Sequence, residues 1–278
     1  MNLSRFATSD SATPSLGVVD DRQETVRTVD TASTSLDEAL RNSETWETLL
    51  RDADGDTYSL ADVFLCSPVE RPANLIGVGL NHAGHAEEGG HDTPDEPVFF
   101  AKSPSSITGP GTDIICHEGV TNLHWAGEFG FVVGETARNL DESAALDAVF
   151  GYVAGNNVTA RDLQGADIDA GRPWFRSKSM DTFTPLGPWV TPTDQELNPG
   201  DADVETAVND DVIQSSNTSD LIFSVPELVA AVSQYVTLQP GDVVLTGTPA
   251  GVGEVGPGDR VSVTVEGVGT LTNTVTER

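Results

Sequence analysis

In this chain of 278 residues, the side chains able to do chemistry cluster in a few short segments. His85 and Glu88 stand three apart in GLNHAGHAEE, just after the apolar run Asn74–Leu80. On a helical turn that spacing puts both on one face. A carboxylate beside an imidazole orients it as a general base able to activate water. An ordinary surface histidine in an acid-rich chain has the same spacing. Only two lysines occur, Lys102 and Lys178. Lys102 lies between the apolar run Pro97–Ala101 and a Ser/Gly turn, so its retention points to a specific partner or to a single salt bridge. In His124-Trp-Ala-Gly-Glu128, strand alternation puts His124, Ala126 and Glu128 on one face, with Trp125, Phe129 and Phe131 on the other. Glu128 reads either as the wall of a pocket or as one exposed acid. TGTPAGVG, residues 246–253, runs from a β-prone stretch into a Gly-rich loop whose amides and hydroxyls can hold a carboxylate. No phosphate loop, nucleophile elbow or H-E-x-x-H motif is present.

The elements that must position these residues follow from the pattern around them. Residues 1–70 read as a small N-terminal α+β domain. Its helical stretch runs from Ser35 to Leu50, with Ser35 and Glu38 as a capping box and Leu36, Leu40, Leu49 and Leu50 on one face. From residue 71 to 278, short β-branched runs alternate with Gly-Pro turns, which indicates a β-rich sandwich, roll or barrel. One helix interrupts them, opened by Ser224, Pro226 and Glu227. The polar loop at 88–96 reads as a mobile lid.

Composition narrows the class. There are 14 Lys+Arg against 44 Asp+Glu, a formal net charge of -30. So acidic a chain is excluded as a phosphate-backbone binder, hence no nucleic-acid partner. The acids are spread along the chain, which predicts a surface adapted to high salt and a halophile source. No apolar run approaches a membrane span. The opening residues lack a basic and an apolar signal region, and Cys66 and Cys116 are isolated, so a cytoplasmic protein is expected.

Taken together, GLNHAGHAEE, KSPSSITGPG, GYVAGNNVTARDLQ, KSMDTFTPLGPW, NTSDLIFSVPEL and LQPGDVVLTGTPAGVG, in order from about Asn74 to Val275, resemble the fumarylacetoacetate hydrolase superfamily. The likeness is to its acylpyruvase and 2-hydroxyhepta-2,4-diene-1,7-dioate isomerase members. It implies an α+β, β-rich mixed β-roll behind a small N-terminal domain, assembled as a homodimer. It further implies His85 and Glu88 as the water-activating dyad, Lys178 as the group that stabilises an enolate, and Gln164 beside substrate or water. Thr248 and Gly247, with Lys102 and Arg161, would bind a small carboxylate substrate. The family's Mg²⁺ or Mn²⁺ is held by three carboxylates, whose positions here are Ala126, Glu128 and Asn157. Only Glu128 keeps its charge; His124 can substitute in part, and Asp162 and Asp181 are nearby acids. The implied activity is C–C hydrolysis, decarboxylation or enol–keto isomerisation of a 2-oxo or 2,4-dioxo acid. The competing reading is a catalytically impaired homologue that only binds a carboxylate metabolite.

Overall fold

A computed structural model describes residues 1–9, 12–88, 90, 92–193 and 195–277. The β-branched runs become the strands of an α+β, strand-rich fold. Among the described residues the main sheet runs Thr57–Ser59, Thr25–Thr28, Ser15–Asp20, Asn2–Ala7, Thr184–Pro192, Val149–Asn156, Gly127–Val133, Val243–Leu245, Leu75–Gly79 and Val98–Ala101. The N-terminal strands join it where Leu3 lies opposite Val190. A second sheet runs Asp211–Asn217, Asp203–Val208, Arg260–Val265, Gly269–Glu277 and Ile114–Cys116.

The central strand Gly127–Val133 is buried along its whole length. That explains its nearly unbroken apolar sequence, since both of its faces are covered. Phe129, Phe131 and Val133 enter a core shared with Val204, Val263 and Leu271 of the second sheet and with Val225, Leu228 and Val232. Val132 turns the other way, into a core built with Leu3, Leu16, Leu36, Leu49 and Leu245. An acid on this strand therefore has no solvent to face, and Glu128 is 1% exposed.

The helix Val225–Tyr235 matches its sequence signature: Glu227 Oε2 accepts from the Ser224 amide at 2.7 Å and its hydroxyl at 2.6 Å. The stretch Ser35–Leu50 does not form one helix. It forms two, Leu36–Arg41 and Trp46–Arg51, with Ser43 at φ 63 between them. Glu38 turns back to the Thr34 amide at 2.7 Å and forms no box with Ser35. A left-handed residue closes the first helix, and Thr45 with Thr48 caps the second, at 2.8 Å and 3.3 Å. Leu36, Leu40 and Leu49 are nevertheless buried, as the apolar spacing required. No helix among the described residues is long and apolar enough to cross a membrane.

Candidate active site

The strand Leu75–Gly79 delivers the first set of residues. Gly77 must be glycine there, because a Cβ would lie 2.3 Å from the Phe100 ring of the neighbouring strand. The ring packs on Trp174 at 5.5 Å between centroids, and Lys178 Nζ sits 5.2 Å from its centre. Past the strand end, buried Asn81 ties three segments together. Its Nδ2 donates to the carbonyls of Phe223 (3.0 Å) and Thr246 (2.8 Å), and its Oδ1 accepts from the Phe223 amide at 2.8 Å.

The short helix Ala83–Glu88 follows, with His85 Nδ1 3.3 Å from Glu88 Oε2. Glu88 Oε2 also accepts from the Gly251 amide at 3.1 Å, so the Gly-rich loop docks against this pair. Burial pushes the His85 imidazole below its usual pKa; Glu88 opposes the shift, and the cations Arg161 and Lys178 reinforce it. The imidazole is thus neutral at pH 7, with a carboxylate on one nitrogen.

Glu128 forms the second centre. Its Oε1 accepts from Asn157 Nδ2 at 2.9 Å and its Oε2 from the Gly247 amide at 2.8 Å. Gly247 has φ 103, a conformation open to glycine that points its amide inward. Asn157 Oδ1 in turn accepts from Lys102 Nζ at 2.8 Å, and that ammonium also donates to the Phe183 carbonyl at 3.2 Å. Lys102 is 3% exposed and Lys178 6%. Burial raises the Glu128 pKa against the pull of Lys178, Asn157, Gly247 and Lys102. Burial brings Lys178 down to about 7, with Glu128 opposing and Arg161 adding to the fall. Among the described residues Lys178 has no side-chain hydrogen bond; its contact is the Phe100 ring.

The helix Arg161–Asp169 brings Arg161 Nη1 to Gln164 Oε1 at 2.6 Å. Buried Asp167 on the same helix accepts from Arg172 Nε at 2.8 Å and Arg176 Nη2 at 2.7 Å. These bonds fasten it to the turn Phe175–Lys178, which carries Lys178. Gln214 Nε2 donates to Thr248 Oγ1 at 3.0 Å and to the Pro249 carbonyl at 2.7 Å.

His85, Glu88, Arg161, Lys178 and Glu128 are thus coupled around one centre, and Thr248 sits in the loop that closes on it. Lys102 and Gly247 are committed to the Glu128–Asn157 chain. Asn81, Phe100, Trp174 and Gln214 escape sequence reasoning; the short GVG strand that accommodates two rings was the available signal. Of the polar loop at 88–96, Gly89 and His91 lie outside the described residues. Asp162 is turned to Thr121, whose amide it accepts at 2.9 Å, and Asp181 is exposed. A cleft of about 800 Å³ lies elsewhere, but its charged lining, Arg5 and Glu70, is self-paired at 3.0 Å.

The donor set around Glu128 does not fit Mg²⁺ or Mn²⁺. A hard divalent ion needs several oxygen ligands and anionic charge. Ala126 has no donor, both Glu128 oxygens accept hydrogen bonds, and Asn157 Oδ1 holds the Lys102 ammonium. No group of three His, Cys, Asp or Glu among the described residues could hold a metal ion. Among the described residues His124 Nδ1 is buried without a hydrogen-bond partner, and burial lowers its pKa to about 4. A single imidazole suits softer metals.

The family model for the fumarylacetoacetate (FAA) hydrolase C-terminal region matches residues 74–276. The mitochondrial oxaloacetate tautomerase fahd2 of Xenopus laevis is 34% identical over 289 residues, covering 99% of this chain and 90% of that one. Among solved structures, a fumarylacetoacetate hydrolase from psychrophilic Exiguobacterium antarcticum aligns with TM-score 0.88 and 35% identity, over all of both chains. Maleylpyruvate hydrolase from Sphingobium sp. SYK-6, in complex with manganese(II) and pyruvate, aligns with TM-score 0.82 and 30% identity, covering 100% of this chain and 99% of that one.

Proposed function

The chain belongs to the fumarylacetoacetate hydrolase family, and from that premise we propose that it moves a proton beside the keto group of a small 2-oxo acid, interconverting keto and enol forms. The observation that carries this reading is the convergence of a neutral imidazole, backed by a carboxylate, with a buried ammonium that no group among the described residues hydrogen-bonds.

With its Nδ1 proton directed to Glu88, His85 presents an unprotonated Nε2. This nitrogen takes a proton from the carbon next to the C2 keto group. The C–H electron pair becomes the C=C bond, and the C=O π electrons pass to the C2 oxygen. Lys178 holds that oxyanion, where an ammonium in a dry site is worth far more than in water. Return of the proton from His85 Nε2 to that oxygen, directly or through water, gives the enol and restores the neutral imidazole, and the reverse sequence regenerates the ketone. Glu88 stabilises the imidazolium while it exists. Arg161 and Thr248 receive the substrate carboxylate, and Gln164 holds the Arg161 guanidinium. Water activated by the same imidazole would cleave a dioxo acid, so acylpyruvates belong in the substrate panel.

The test follows the decay of the enol absorbance of oxaloacetate, and the cleavage of acylpyruvates, with purified protein in molar KCl. Acceleration of the enol decay, lost in His85→Ala, is the expected result. Absence of turnover with every member of the panel would defeat the reading and leave a homologue that binds a carboxylate without transforming it.

A further inference from the structure

Resting on that oxo-acid reading, we propose that this protein binds its 2-oxo-acid substrate without a divalent metal ion, with the C2 oxygen on the ammonium of Lys178. The hydrogen-bonded chain Lys102–Asn157–Glu128 fills the place where a metal-dependent relative would hold the ion.

The chain is complete in itself. Lys102 donates to Asn157, Asn157 donates to Glu128, and Gly247 closes the other Glu128 oxygen. The amide at 157 is what makes this possible. An aspartate there would set a carboxylate oxygen in place of the donating Nδ2, 2.9 Å from Glu128 Oε1. Two carboxylates that close need a shared proton or a cation between them. Asn157 supplies a donor instead, and the requirement for an ion disappears.

The charge balance agrees. Three carboxylates around a dication carry a net charge of minus one, and Glu128 alone carries the same. Losing both acids together with the ion therefore leaves the net charge beside Lys102 and Lys178 unchanged, whereas losing one acid would not. A dication added to this site would face the buried lysines Lys102 and Lys178 and the half-buried Arg161, with a single carboxylate already in use. Lys178 is the group left over for the C2 oxygen of an incoming 2-oxo acid. It is buried, lies over the Phe100 ring and, among the described residues, has no hydrogen-bond partner for its donors.

The experiment uses the full chain in molar KCl, so that its acidic surface is screened and collects no ions of its own. Calorimetry measures pyruvate binding in EDTA and in excess Mn²⁺, and thermal unfolding is followed with and without Mn²⁺. The expected result is pyruvate affinity equal in the two conditions within about twofold, with no Mn²⁺-dependent rise in the unfolding midpoint, since only a bound ion stabilises the fold. Lys178→Met should weaken pyruvate binding by about tenfold or more. The double variant Ala126→Glu, Asn157→Asp should gain Mn²⁺ binding. Stoichiometric Mn²⁺ on the unmodified protein, pyruvate binding that vanishes in EDTA, pyruvate binding in neither condition, or a folded double variant indifferent to Mn²⁺ would each overturn the proposal. If the double variant does not fold, the measurements on the unmodified protein decide. Metal-independent binding of pyruvate with no proton transfer from it would sink the tautomerase reading alone.

Discussion

Lys178→Met should reduce kcat/KM for enolisation by about 10²–10³, the cost of deleting one oxyanion donor from a dry site. The structure supplies a second, sharper expectation. Burial first, with Arg161 adding and Glu128 opposing, brings the Lys178 pKa from 10.5 to about 7. That fall corresponds to about 5 kcal/mol lost by the ammonium on entering the site, part of which an oxyanion restores. The ammonium must be charged to act, so activity falls as pH rises through about 7. The His85 imidazole must be neutral, and its pKa lies below 6.5, so activity falls again in acid. The kcat/KM profile of the free enzyme should therefore be a bell, dropping about tenfold per pH unit on the alkaline side. Lys178→Arg keeps its charge at every accessible pH and should abolish the alkaline limb while lowering the maximum. Stopped-flow absorbance of the enol between about pH 5 and 9 reads both limbs. A Lys178→Met enzyme within about threefold of the parent, or an alkaline limb that survives in Lys178→Arg, would refute the assignment.

The remaining expectations concern the base, the fold and the surface. His85→Ala should lose about 10²–10⁴ in kcat. Glu88→Gln should lose less, because the amide still meets the imidazole and the Gly251 amide. Asp37 is buried; burial would raise its pKa, but the Glu70 amide, Ser35 and Arg41 outweigh it, so the folded carboxyl titrates below its usual range. A depressed carboxyl stabilises the fold above the unfolded pKa and loses that effect as pH falls through the folded one. Asp37→Asn should therefore cost about 1–3 kcal/mol in urea unfolding at neutral pH and progressively less in acid. A net charge of -30 predicts an unfolding midpoint that climbs with KCl; a midpoint flat from dilute buffer to molar salt would contradict it.

Much of the architecture was legible because it is local. The Ser224–Glu227 box, the alternating strands and the buried leucines of 36–49 depend on neighbours within a few residues. The single helix over 35–50 failed where two local signals competed, for Glu38 reaches Thr34 while Thr45 and Thr48 cap a second helix. Glu128 was ambiguous from alternation alone, since burial of both faces of its strand depends on cores to which distant residues such as Leu36 and Val263 contribute. The pairing of Lys102 with Asn157 spans 55 residues, and that of Gln214 with Thr248 spans 34. No spacing rule brings such residues together. The two lysines, conspicuous only by their rarity, prove to lie in one buried centre.

The most direct test of the central claim is hydrogen–deuterium exchange at the carbon beside the keto group of pyruvate or oxaloacetate, followed by NMR in D₂O with EDTA present. The parent protein should wash those protons out well above the buffer rate, and His85→Ala should return the rate to that of buffer. Exchange no faster than in buffer with the parent protein, or undiminished in His85→Ala, would contradict the account.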